Sequence, residues 1–87
     1  MKIKSGFVLR KIEEDYIVVS VGSRVKEFNG VINLNEPSAM LWQLLEKGAT
    51  EEQLVNKLLE VYNVEKAVAE KDVSAFINKL TVNGILE

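Results

Sequence analysis

Two short apolar runs open the chain, at residues 6–12 and residues 16–21, and both are rich in β-branched and aromatic residues. Three acidic residues, at positions 13–15, separate these runs. Apolar runs that are joined by a short polar turn predict a β-hairpin. The second run is the more apolar of the two, so we expect its strand to lie in the centre of the sheet.

A polar loop and a third strand are predicted after the hairpin. Residues 22–29 have turn-forming residues at both ends, and Phe28 is expected to anchor this loop. The third strand is predicted at residues 30–34, and no fourth run of this type follows it. Residues 31–34 contain neither Lys nor Pro, which commonly block strand addition, so this edge is a candidate docking site. The alternative is an edge that the N-terminal segment or a second subunit covers.

The rest of the chain has the apolar spacing of three amphipathic helices, predicted at residues 37–47, 51–62 and 66–82. Asn35 or Glu36 is expected to cap the first helix. Thr50 and Gln53 form a capping box at the start of the second helix. Three strands followed by three helices predict an α+β fold, in which a three-stranded antiparallel sheet packs on the helices in a winged-helix-like arrangement. We expect a single domain, residues 1–87.

The composition excludes several kinds of chemistry. The chain has no histidine and no cysteine, so it offers no disulfide, no thiolate nucleophile, no histidine base and no Cys/His metal site. Glycine-rich nucleotide motifs are also missing from the sequence. The acidic clusters have structural explanations, because Glu51 and Glu52 suit the start of a helix and residues 13–15 form the hairpin turn. We therefore expect no catalytic residue, no metal and no cofactor.

The net charge of −2 is unevenly distributed. Residues 1–30 carry six basic and four acidic groups, and residues 31–87 carry five basic and nine acidic groups. The helical part is therefore acidic, which is unfavourable for binding nucleic acid. No apolar run has the length of a membrane span, and charges interrupt the N-terminal segment where a signal peptide would be apolar. These features predict a cytoplasmic protein without a membrane partner.

The sequence resembles the PqqD family, the stand-alone form of the RiPP recognition element (RiPP: ribosomally made, post-translationally modified peptide). The resemblance lies in GFVLR near the N-terminus, FNGVINLNEPSAMLWQLLEKGATEEQLVNKLLEVYNV in the middle and DVSAFINKLTVNGILE at the end. Each matching residue is by itself a capping or core residue, and their joint spacing carries the likeness. The matching positions are Leu34, Asn35, Trp42, Leu45, Gly48, Thr50, Leu58, Tyr62, Asp72, Val73, Phe76, Leu80 and Gly84.

This resemblance implies a module that binds the leader segment of a precursor peptide and works with a modifying enzyme, commonly a radical-SAM peptide maturase. It implies that the leader docks as an extra strand on the third strand, in the groove beside the third helix. The resemblance implies a role either in pyrroloquinoline quinone synthesis or in the maturation of another modified peptide. The candidate peptide-binding residues are Gly30, Val31, Ile32, Asn33, Leu34, Val68, Asp72, Ala75, Phe76 and Lys79.

Four of these candidates flank the apolar stripe of the last helix. The stripe itself is expected to pack mainly in the core, and it consists of Val73, Phe76, Ile77 and Leu80. The flanking residues are Val68, Asp72, Ala75 and Lys79. The small Ala75 would leave room for a leader side chain, and Asp72 and Lys79 could bind leader charges. A solvated surface role is the alternative for both charged residues.

Two other functions fit the predicted layout. The first is a winged-helix DNA-binding protein, although residues 65–82 carry three lysines against three acidic residues and contain no arginine for guanine contacts. The second is a structural subunit that uses its open edge to form a homodimer. The sequence predicts either a monomer or a dimer, and domain swapping is one route to a dimer.

Overall fold

A computed structural model of the chain describes residues 1–26 and 30–87, so the predicted anchor Phe28 lies outside the described residues. Three strands come first: β1 (Phe7–Ile12), β2 (Asp15–Ser20) and β3 (Val31–Leu34). Three helices follow: α1 (Glu36–Lys47), α2 (Glu51–Val61) and α3 (Lys66–Val82). The predicted order of strands and helices is therefore confirmed. Part of the segment predicted as a loop forms a short 3-10 turn at Gly22–Lys26.

The hairpin turn is tighter than the acidic triplet suggested. Asp15 belongs to β2 and pairs with Ile12, so only Glu13 and Glu14 form the turn. Glu13 has a φ of 58°, a left-handed conformation that glycine usually supplies in such turns. This two-residue turn fixes the register of the whole hairpin.

The three strands form one antiparallel sheet in the order β1-β2-β3. β2 lies in the centre, as its apolar sequence predicts. Val18 of β2 pairs with Leu9 on one side and with Ile32 on the other. β3 is therefore an edge strand whose second side faces away from the sheet.

The register determines which main-chain groups of β3 face outward. The Val21 N–H donates to the Gly6 oxygen at 2.8 Å, which makes that pair a hydrogen-bonded pair of the β1–β2 ladder. Hydrogen-bonded pairs alternate along an antiparallel ladder, so Val19 and Ile17 also point toward β1. The intervening residues of β2 therefore point toward β3. Their partners there are Ile32 and Leu34, and the main-chain groups of Val31 and Asn33 point away from the sheet.

The helices pack on one face of the sheet around a single apolar core. Alternate residues of β3 enter this core, since Ile32 and Leu34 are each 6% exposed. Trp42 of α1 is fully buried, as is Val73 of α3. The other face of the sheet carries Val31, which is 57% exposed. No helix among residues 1–26 and 30–87 is long and apolar enough to cross a membrane.

The helix ends follow their sequence signals. The Asn35 Oδ1 accepts the Ser38 N–H at 2.9 Å, so Asn35 is the cap of α1 and the helix begins one residue earlier than predicted. The predicted capping box of α2 is confirmed by reciprocal hydrogen bonds between Thr50 and Gln53 at 2.8 and 3.1 Å. These caps fix where α1 starts relative to β3, because Asn35 directly follows the last residue of that strand.

Candidate functional site

The outer edge of β3 presents main-chain hydrogen-bonding groups. The N–H and C=O of Val31 and Asn33 point away from β2, as the ladder register shows. Among the residues that the structure describes, no strand pairs with this side of β3. Such an edge can accept an additional strand through main-chain hydrogen bonds.

Helix α3 reaches this edge through one lysine. The Lys79 Nζ donates a hydrogen bond to the main-chain oxygen of Asn33 at 3.0 Å, across 46 positions of the sequence. This contact places the C-terminal half of α3 beside the open edge of β3. It therefore joins two of the elements from which the sequence predicted a binding groove.

A groove with a volume of about 310 Å³ lies next to this contact. The α3 side of the groove consists of Asp72, Ala75, Phe76 and Lys79. The opposite side, where β3 passes into α1, consists of Asn35, Pro37, Ser38 and Leu41. Leu58 of α2 also lines the groove and, like Leu41, is almost completely buried. The groove is thus an apolar depression with polar groups at its rim.

The helical period explains why α3 supplies these residues. One stripe of α3 is buried in the core and consists of Ala69, Val73, Phe76 and Leu80. The flanking stripe lies one residue earlier at each turn and consists of Val68, Asp72, Ala75 and Lys79. Three members of the flanking stripe line the groove, and Phe76 is a core residue whose side chain also reaches it.

The groove carries one charge of each sign on α3. Asp72 and Lys79 are seven residues apart, which corresponds to about 10 Å along the helix axis. Ala75 lies between them and is exposed, so its small side chain leaves open space above Phe76. The site therefore combines a central apolar section with a carboxylate toward one end and an ammonium toward the other.

The structure brings together five of the ten residues that the sequence nominated. Asp72, Ala75, Phe76 and Lys79 line one groove, and Lys79 contacts Asn33. Gly30 and Val31 are exposed at the start of β3. Val68 is 46% exposed but does not line the groove, because it lies a full turn before Asp72.

Two of the predicted peptide-binding residues face the interior of the protein and not the outer edge of β3. Ile32 and Leu34 turn their side chains into the core and their main-chain groups toward β2, so neither group is available at the outer edge. The sequence analysis did not nominate the groove residues of α1 and α2, which are Asn35, Pro37, Ser38, Leu41 and Leu58. Their position directly after β3 is the signal that could have indicated the first three.

A tyrosine and a glutamate join the start of α1 to the end of α2. The Tyr62 hydroxyl donates to the Glu36 Oε1 at 3.5 Å. Burial, followed by the nearby Glu36 carboxylate, raises the pKa of Tyr62 above its usual value. Within the part of the chain that the structure describes, no three His, Cys, Asp or Glu side chains are grouped so that they could hold a metal ion.

The fold and the site define a class: a small α+β domain in which the outer edge of β3, unpaired among the described residues, lies beside a helix-lined groove. The family model described as coenzyme PQQ synthesis protein D (PqqD) matches residues 11–86. The chain therefore belongs to the PqqD family, which confirms the resemblance seen in the sequence. No curated protein sequence matches the chain significantly.

Two solved structures have a similar fold. TbiB1, solved in complex with the TbiA(beta) leader peptide, is 24% identical with a TM-score of 0.79, and the match covers 100% of this chain and 95% of that chain. Lasso peptide synthetase B1, complexed with the leader peptide, is 21% identical with a TM-score of 0.75, and the match covers 97% of this chain and 93% of that chain. At this identity the likeness establishes a shared fold.

Proposed function

We propose that this protein is a non-catalytic module that captures the leader segment of a precursor peptide by strand addition to β3. The captured peptide is then presented to a modifying enzyme, for which a radical-SAM peptide maturase is the expected partner. The observation that carries the proposal is the outward-facing main chain of Val31 and Asn33 beside the groove of α3. The cytoplasmic location predicted from the sequence belongs to the same proposal.

Main-chain hydrogen bonds would provide affinity without requiring one sequence. Val31 and Asn33 each have one outward N–H and one outward C=O for an added strand, and the Asn33 oxygen accepts the Lys79 ammonium while no strand is bound. Ile32 and Leu34 hold β3 to the sheet at the same time, because their main-chain groups pair with β2. The edge can therefore accept a strand without loss of the hydrogen bonds that keep it in place.

The groove would provide selectivity through alternate side chains. In an added strand, every second side chain points to the same face as Ile32 and Leu34, which is the face on which the helices pack. These side chains enter the depression beside Ala75 and Phe76. An apolar leader residue therefore fits its centre, and charged residues fit its ends near Asp72 and Lys79.

The comparisons support this proposal at the level of the family and the fold. The chain belongs to the PqqD family, and both similar structures are complexes with leader peptides. The carrying observation is independent of both, since it rests on the register of this sheet. Together they favour a peptide-binding role over the DNA-binding and purely structural alternatives.

The proposal is tested by titrating isotope-labelled protein with the leader of the precursor peptide encoded beside its gene. We expect the amide signals of residues 30–35 and of α3 to shift, while those of β1 stay in place. An absence of shifts at both elements would contradict the proposal. Shifts in β1 with none in β3 would place the peptide on the wrong edge of the sheet.

A proline substitution at position 31 tests the contribution of the β3 edge to binding without disturbing the rest of the fold. Val31→Pro removes an outward-facing N–H and leaves the β2 ladder intact, because Pro is tolerated on edge strands. We expect it to weaken leader binding about fivefold to tenfold, the loss of one main-chain hydrogen bond. The matched control is Lys11→Pro, which removes an outward N–H from the opposite edge and should leave affinity unchanged. Equal losses for both variants would indicate a general effect on the sheet.

A second copy of the chain could use the same edge. Such a homodimer would perturb the same amides without any peptide, and its formation would depend on protein concentration. Light scattering with and without the leader distinguishes the two occupants. A dimer that persists when leader is added in excess would favour the structural alternative.

A further inference from the structure

Lys79 occupies the main-chain acceptor that an added strand would need. Its Nζ lies 3.0 Å from the Asn33 oxygen, and this oxygen faces the open edge of β3. A strand that pairs with Asn33 donates its own N–H to the same oxygen. A main-chain oxygen can accept two hydrogen bonds, but the ammonium lies at the outer edge where the strand has to dock, so the incoming strand has to move the ammonium aside.

The Lys79 contact protects the edge of β3, which has no protecting lysine of its own. Edge strands are commonly protected by lysines within the strand, and residues 31–34 contain none. Here the lysine comes from α3, where Lys79 is the last basic residue of the helix. The edge is thus covered by a group that can move aside without any change in the sheet.

Displacement would leave the ammonium without a protein partner. Among the residues that the structure describes, no carboxylate lies within ion-pair distance of Lys79, and the acidic member of its own stripe, Asp72, is two turns away. An ammonium group carries three donors and is compensated best by a carboxylate. A peptide that brings its own carboxylate compensates the lysine that it displaces.

We propose that Lys79 selects the peptide. Its ammonium holds the Asn33 oxygen until an extended peptide supplies both an N–H for that oxygen and an acidic side chain for the ammonium. This inference rests on the proposed function, and it adds the chemistry of the occupant: a leader strand with an Asp or Glu at one defined position.

The sheet geometry fixes that position. The peptide residue directly opposite Asn33 has its side chain on the same face as Asn33, which is the face turned away from the helices. The residues immediately before and after it point toward the helical face, where Lys79 lies. The selected carboxylate therefore belongs to a neighbour of the residue that pairs with Asn33.

The free protein provides the first test. Lys79→Met removes the charge and keeps an apolar side chain of similar length, and it should shift the carbonyl carbon signal of Asn33 when no peptide is present. Lys71→Met is the matched control, because Lys71 is an exposed lysine of the same helix that does not line the groove. An Asn33 signal that is unchanged by Lys79→Met would overturn the proposal.

Leader variants provide the second test. Each Asp and Glu of the leader is replaced in turn by Asn or Gln, and affinity is measured for wild type, Lys79→Met, Lys79→Arg and Lys71→Met. At one position the replacement should weaken binding to wild type about threefold to fivefold, the scale of a solvent-exposed ion pair. Lys79→Arg and Lys71→Met should retain this preference, and Lys79→Met should lose it. Lys79→Met should also bind the neutral leader more tightly than wild type does.

The outcomes separate this inference from the function on which it rests. Tight binding with no acidic position that depends on Lys79 would overturn the selection by Lys79 and leave leader capture intact. A preference for the acidic leader residue that remains in Lys79→Met would likewise overturn the selection by Lys79 and leave leader capture intact. Failure of the wild-type protein to bind the leader at all would refute the proposed function, and the role of Lys79 would fall with it.

Discussion

Among the residues that the structure describes, Tyr62 is a group whose pKa the fold raises. Burial and the Glu36 carboxylate raise its pKa, because both disfavour the tyrosinate form. A raised pKa in the folded state means that the folded protein binds this proton more strongly than the unfolded chain. The resulting contribution to stability is complete below the unfolded pKa and is lost as the pH rises through the folded pKa.

Glu36→Gln should lower the pKa of Tyr62 toward its usual value, since the substitution removes the second cause of the shift and leaves burial in place. The measurement is an alkaline titration of tyrosinate absorbance in a Tyr16→Phe background, which leaves Tyr62 as the one tyrosine. Glu60→Gln on α2 is the control, because that carboxylate pairs with Lys57 and is not a cause of the shift. A Tyr62 titration that is the same in Glu36→Gln and Glu60→Gln would contradict the assignment to Glu36.

Some residues of the candidate groove can be recognised from sequence and others cannot. Asp72, Ala75 and Lys79 were identifiable because the helical period places them beside a buried stripe. Pro37 and Ser38 were not nominated, because the start of a helix explains their residue types, although their position directly after β3 was a signal that could have indicated them. The contact between Lys79 and Asn33 joins residues 46 positions apart, and no local pattern encodes such a distance.

The β1–β2 hairpin shows that secondary-structure elements, too, are only partly predictable from sequence. Alternating apolar residues predict both strands, but the turn depends on Glu13, whose φ of 58° is unusual for a residue with a side chain. The turn length decides which residues of β2 bond to β1, and hence which residues of β3 face outward. Which main-chain groups of β3 face outward therefore depends on a turn whose type cannot be predicted from the sequence.

Two glycine substitutions test this account of the turn. Glu13→Gly relieves the left-handed conformation and should raise the free energy of unfolding by up to about 1 kcal/mol. Glu14 has no positive φ, so Glu14→Gly relieves no strain. This substitution should lower the free energy of unfolding by about 0.5–1 kcal/mol. Both are measured by chemical denaturation. Equal effects of the two substitutions would mean that Glu13 is not strained.

The two chain ends meet in the folded molecule. The Lys4 N–H donates to the Ile85 oxygen at 2.8 Å, and the Glu87 N–H donates to the Lys2 oxygen at 2.9 Å. The Ala49 N–H donates to the Met1 oxygen at 2.9 Å, which ties the same segment to the loop between α1 and α2. Residues 1–4 therefore hold the C-terminal segment and this loop together, on main-chain bonds that no sequence pattern reveals.

Ile3 fastens this segment to the core, where it is 8% exposed. Ile3→Ala should lower the free energy of unfolding by about 2 kcal/mol or more, the usual cost of truncating a buried isoleucine. It should also speed hydrogen exchange at the Ala49 and Glu87 amides together, because both donate to the segment that Ile3 anchors. Lys2→Ala is the control, since its exposed side chain can be lost while the main-chain bonds remain, and it should change stability by less than about 0.5 kcal/mol. Faster exchange at only one of the two amides would show that the loop and the C-terminal segment open independently of each other.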